Sequence, residues 1–104
     1  LGLILSKAKD FLIKEVGPLT VGMMIRNHRN RLGLSQAELA NIINVTVGYI
    51  SNVETGRKKL SLEKTLYIAK KIKANHKHFA LIWFEEESRA NGISFKEIAK
   101  LEVA

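Results

Sequence analysis

Three features of this sequence predict an all-α fold. Apolar residues return every three or four positions nearly throughout. No segment alternates apolar and polar residues as a half-buried strand does. Serine or threonine repeatedly stands just before such a helical run, where a hydroxyl can accept from the unpaired N–H groups of a first turn. The chain has 104 residues, enough for one core but not two, and its 46% hydrophobic content is too high for a disordered chain.

The elements follow in order. The first predicted helix runs from Leu3 to Val16, with Ile4, Ala8, Phe11, Leu12 and Val16 near one stripe. Gly17-Pro18 ends it, because proline disfavours helix in the residue before it. Thr20 caps a second helix from Val21 to Leu32, and Gly33 stops it. Ser35-Gln36-Ala37-Glu38 is a capping box opening a helix to Ile43, with Leu34 and Leu39 at staple positions. Asn44 then tolerates the left-handed backbone of a tight turn. Thr46 caps a short helix that ends near Glu54, closed by Thr55-Gly56.

Ser61 starts a helix through Lys73 whose apolar set is Leu62, Leu66, Ile68, Ala69 and Ile72. Another spans about Lys77 to Ala90 and carries Phe79, Leu81, Ile82, Trp83 and Phe84. Asn91-Gly92 breaks the chain, and a second capping box, Ser94-Phe95-Lys96-Glu97, opens a last helix to about Val103.

The charge of +7 is unevenly placed. Residues 1–19 carry three lysines against two acidic residues, giving +1. Residues 20–84 carry eleven Lys/Arg against three Glu, giving +8. Residues 85–104 carry three basic against five acidic residues, giving −2. The positive middle suits a polyanionic partner. Cysteine is absent, which excludes disulfides, thiolate nucleophiles and cysteine–zinc sites and fits a reducing compartment. No apolar run approaches the ~18 residues of a membrane span. Leu1 to Leu5 is apolar but short, and its lysines follow it rather than precede it, unlike a secretory signal. These features predict a soluble cytoplasmic protein. The chain opens on Leu1 without an initiating Met, and the sequence is silent on whether that residue is the native start.

Residues 36–55 hold the pattern with functional content. Two short helices joined by a tight turn need a small residue where they cross and apolar contacts to lock them. Ala40 is that small residue, Leu39 and Ile43 face the core from the first helix, and Val45, Ile50 and Val53 hold the second. Its other face shows Thr46, Val47, Gly48, Tyr49, Ser51 and Asn52. A helix held in this way can lie in the major groove of DNA.

Residues 21–75 resemble the lambda-repressor/Cro-type (Xre-like) helix-turn-helix family. The matching residues are Gly22, Ile25, Arg29, Gly33-Leu34-Ser35-Gln36, Glu38-Leu39-Ala40, Val45-Thr46, Ile50-Ser51, Glu54, Gly56, Leu62 and Ile68-Ala69. The resemblance covers about half the chain, in order and without gaps. It implies a five-helix DNA-binding domain over residues 20–84, here with extra N-terminal (1–19) and C-terminal (85–104) helical segments.

The same resemblance implies residue roles. Gln36 would meet a phosphate together with its own backbone N–H. Val47, Gly48 and Asn52 stand at base-reading positions, while Thr46, Tyr49 and Ser51 would touch the DNA backbone or flank the bases. Arg57, Lys58 and Lys59 would grip phosphates. Arg29 and Glu54 match the family's internal ion pair. The family commonly dimerises through the region after its fourth helix, so a homodimer on a short, roughly palindromic operator is expected, acting as a transcriptional repressor. Aromatic and aliphatic residues over Phe79–Phe84 cover more than one helix face, which fits either core packing or such a contact.

The sequence also departs from the family pattern. Asn44 replaces the usual turn glycine, and His28 replaces an aliphatic core residue. Val47 and Gly48 offer no side-chain hydrogen bond, so direct polar readout rests mainly on Asn52, which can pair with adenine, and Val47 can meet a thymine methyl. Two other readings stay open: the DNA-binding antitoxin of a toxin–antitoxin pair, and a protein-interaction domain that has lost DNA binding.

The remaining polar residues read as structural. His28 is expected to be a semi-buried packing residue; Lys70, Lys71 and Lys73 an exposed helix face; Glu85-Glu86-Glu87 a solvated face. His76 and His78 lie two apart, which points them to different faces of a helix and away from a shared metal. Nothing assembles a catalytic triad or a phosphate-cradling glycine loop. No enzyme activity, cofactor or metal is expected.

Overall fold

The computed structural model describes residues 18–92, which form five α-helices. We number them α1 (Val21–Arg31), α2 (Gln36–Ile43), α3 (Val47–Glu54), α4 (Leu62–Lys71) and α5 (His76–Ala90). No strand occurs among the described residues, in agreement with the all-α expectation. The helices expected over Leu3 to Val16 and after Ser94 lie outside the described residues. No helix among the described residues is long and apolar enough to cross a membrane.

Each helix begins where a short polar side chain accepts a free N–H. Thr20 accepts from Met23 at 3.1 Å, Thr46 from Tyr49 at 3.1 Å and Ser61 from Lys64 at 3.1 Å. The Ser35 box is complete: its hydroxyl accepts the Glu38 N–H at 3.0 Å, and Glu38 accepts the Ser35 N–H at 2.9 Å. Asn75 caps α5 by accepting from Lys77 and His78, so that helix starts one residue before the sequence expectation.

The breaks are equally local. Asn44 takes the left-handed conformation (φ 58°), and the Val45 N–H closes back on the Ala40 carbonyl at 2.9 Å. This turn joins the two motif helices, while Gly33 at φ 70° makes the separate break between α1 and α2. Two helix ends also differ from expectation. α1 stops at Arg31 rather than Leu32. α4 ends at Lys71, not Lys73, because Lys73 itself turns left-handed (φ 55°) and the Ala74 N–H reaches the Ala69 carbonyl at 2.8 Å. The apolar period runs on through Ile72, which conceals that stop in the sequence.

One core joins all five helices. Ile25, Leu39, Ile50, Ile68, Phe79 and Ile82 are fully buried, contributed by α1, α2, α3, α4 and twice by α5. Burying a side chain such as Phe79 stabilises the fold by about 2–3 kcal/mol. On α4 the buried stripe is Thr65, Ile68, Ala69 and Ile72, while Leu62 and Leu66 are only half-buried. Thr65 fits there because its hydroxyl donates to the Ser61 carbonyl at 2.8 Å. His28 is half-buried, as expected, with its ring edge-to-face against Phe79.

α1 and α3 cross closely. A Cβ at Gly22 would lie 2.2 Å from the Val53 carbonyl oxygen, so only glycine lets the two backbones meet. α5 closes the other side. The Trp83 indole donates to the Leu60 carbonyl at 2.8 Å, and the Glu86 carboxylate accepts the first N–H of α1, from Val21.

The acidic run therefore departs from the solvated face read from the sequence. Glu85, Glu86 and Glu87 are all half-buried, Glu86 holds the start of α1, and Glu87 pairs with Lys59 at 2.7 Å. The boundary drawn between residues 84 and 85 falls inside α5, whose last turns pack back on the domain, with Ser88 buried.

Candidate nucleic-acid interface

α3 is short, and eight residues would not hold a helix in water without tertiary support. Its inward face supplies part of that support through Ile50 and Val53, both buried. Its last residue supplies the rest. Glu54 is buried, and two hydrogen bonds join it to Arg29 of α1: Nε to Oε2 at 2.7 Å and Nη2 to Oε1 at 3.0 Å. The third arm of the guanidinium donates from Nη1 to the Leu34 carbonyl at 2.8 Å, just before α2. One arginine thus ties together α1, the entry to α2 and the end of α3.

The electrostatics are consistent with that geometry. Burial pushes the Glu54 carboxyl up, but hydrogen bonds from Arg29 and Gln36 and the charges of Arg29 and Arg26 outweigh it and hold it below the usual carboxylate range. The hydrogen bond to Glu54 raises Arg29 in turn, against the opposing effect of burial. No buried side-chain nitrogen or oxygen among the described residues lacks a partner.

The outward face of α3 is open. Thr46, Val47, Gly48 and Asn52 are exposed, and Tyr49 and Ser51 are half-buried at its margins. Gln36, at the first position of α2, is half-buried. Its amide donates to Glu54 Oε1 at 3.0 Å, a tie that sequence reasoning missed. An amide nitrogen has two N–H groups, so one remains for a ligand while the other fixes the side chain.

The loop after α3 brings Arg57, Lys58 and Lys59 to the surface, all exposed. The three differ in their contacts. The Lys58 ammonium lies 5.3 Å from the centre of the Tyr49 ring, and burial pushes the Tyr49 phenol up. Lys59 is engaged by Glu87. Arg57 has no such contact among the described residues. No sequence signal marks the Lys59–Glu87 pair, since its members stand far apart in the chain. Thr46, Val47, Gly48 and Asn52 are thus exposed on the outward side of α3, Arg57 is exposed in the loop that follows, Gln36 is tethered to the end of α3, and Lys59 is turned toward α5.

No group of three or more His, Asp or Glu residues is placed to hold a metal ion among the described residues. His76 and His78 are both exposed at the start of α5.

A family model described as Helix-turn-helix matches residues 25–72. Comparison with curated proteins and with solved structures gave no match. The matched segment opens inside α1 and closes just past α4, so it includes both motif helices, the Asn44 turn and the basic loop whole. This match supports the lambda-repressor/Cro-type helix-turn-helix family for residues 25–72.

Proposed function

We propose that this chain is a cytoplasmic transcriptional regulator that binds a short, two-fold symmetric duplex as a homodimer and represses by covering it. The observation that carries this reading is the exposed Thr46–Asn52 face of α3, held rigidly by the buried Arg29–Glu54 pair. In this reading α3 lies in the major groove. Val47, Gly48 and Asn52 face base edges, while Thr46, Tyr49 and Ser51 flank them. Gln36 meets a phosphate beside the start of α2, Arg57 and Lys58 meet phosphates, and Lys59 reaches one when it leaves Glu87.

Residues 20–84, together with the last turns of α5, act as the DNA-binding unit, and the segments before and after it serve subunit or partner contact. Leu81 and Phe84, three apart on α5 and 39% and 37% exposed, supply apolar surface for the dimer. Selection from a random duplex pool tests the proposal. Enrichment of an inverted repeat with half-site centres about one helical turn apart supports it. A pool with no enriched sequence would remove specificity from the account, and a single unrepeated site would remove the dimer.

A further inference from the structure

Gly48 is the residue of α3 whose identity the fold does not explain. It sits at the second helical position, outside the left-handed region of backbone conformation. A Cβ built there meets only Thr46 Oγ1, at 3.9 Å, an ordinary contact. Gly22 is the opposite case, where the same atom would collide with backbone at 2.2 Å. Glycine is also the poorest helix former after proline. A helix of eight residues thus carries a glycine that neither its packing nor its backbone requires, on its most exposed face.

The neighbour at the first helical position is equally informative. Val47 is 45% exposed, an apolar side chain with no place in the core. Neither residue can give or take a side-chain hydrogen bond. The polar neighbours are engaged elsewhere in part: the Thr46 hydroxyl oxygen accepts the Tyr49 N–H, and the Tyr49 ring lies beneath Lys58. The result is a small apolar step on the helix, with the valine methyl groups on one side and bare backbone on the other. Among the four DNA bases, thymine alone presents a methyl group in the major groove.

We propose that Val47 and Gly48 form a seat for the 5-methyl group of a thymine, so that one thymine in each half-site is read by apolar contact. The missing side chain at position 48 lets the base edge approach Val47. Asn52, one turn further on the same face as Gly48, keeps the polar readout of an adjacent base pair. This inference rests on the assignment of α3 to the major groove.

The test uses the whole chain and its selected duplex, with each thymine replaced singly by deoxyuridine, which lacks only the methyl group. One replacement per half-site should weaken binding about fourfold, the worth of one buried methyl-sized group. Val47→Ala should weaken binding to the parent duplex and abolish that sensitivity. Gly48→Ala should melt no lower than the parent protein yet bind the parent duplex about fourfold or more weakly. Tight binding with no deoxyuridine-sensitive position overturns this inference while leaving the regulator reading intact. So does a full deoxyuridine penalty retained in Val47→Ala, or undiminished affinity in Gly48→Ala. Failure of every duplex to bind overturns both.

Discussion

Gln36 and Glu54 are joined by a 3.0 Å hydrogen bond, so the first residue of α2 is tethered to the last residue of α3. The same carboxylate oxygen receives Arg29 Nη2. A residue proposed to touch phosphate is thus fixed by the ion pair that also holds α3 in place, so that stability and the proposed recognition share one carboxylate.

Glu54→Ala leaves the Arg29 guanidinium buried without its partner and should cost roughly 3–5 kcal/mol of unfolding free energy. Urea denaturation checks this. A loss under about 1 kcal/mol would show that the pair is not what holds α3.

The pH dependence follows from the direction of the Glu54 shift. Its carboxyl is held below the usual range in the folded chain, so its contribution is present above the ordinary glutamate value of about 4.3 and is lost as pH falls through the lower folded value. Stability measured from pH 6 downward should drop in that acid window, and Glu54→Gln should flatten that part of the drop. An equal acid slope in both proteins would remove Glu54 as the cause.

Gly22→Ala should destabilise by about 1–3 kcal/mol or more, because the new methyl group meets the Val53 carbonyl and neither backbone can yield without separating α1 from α3. Thermal melting measures it. A variant as stable as the parent would show that the two helices can move apart at little cost.

The Lys59–Glu87 pair predicts a gain of binding. Glu87→Gln removes the carboxylate that engages Lys59 at 2.7 Å, freeing an ammonium beside the basic loop. DNA affinity at low salt should rise, and the slope of log affinity against log salt should steepen by about 0.9 for one added phosphate contact. An unchanged slope would mean that Lys59 reaches no phosphate even when released. Arg57→Ala should shift the slope by about the same amount in the opposite direction.

Much of the fold was legible because its signals are local. Thr20, Ser35, Thr46 and Ser61 cap N–H groups three residues on, and Asn44 makes its turn alone. What stayed hidden depends on tertiary neighbours. Lys73 has no side-chain property that favours its left-handed turn, and Thr65 enters the core only because the Ser61 carbonyl is within reach. Glu86 and Glu87 read as solvent-facing until α5 folds back on α1 and the basic loop. In the candidate interface the exposed face of α3 followed from its period and the Arg29–Glu54 pair from the family resemblance. The Gln36 tether, the Lys58–Tyr49 contact and the diversion of Lys59 needed distances that no spacing encodes.

The central claim is that the outward face of α3 and its neighbours meet DNA. A titration of the isotope-labelled chain with its selected duplex, followed by backbone amide NMR shifts, tests it most directly. The account predicts that the largest changes fall at Gln36, at residues 46–52 and at residues 57–59, fading as salt is raised. Changes centred on Leu81 and Phe84 of α5, with residues 46–52 unmoved, would contradict it.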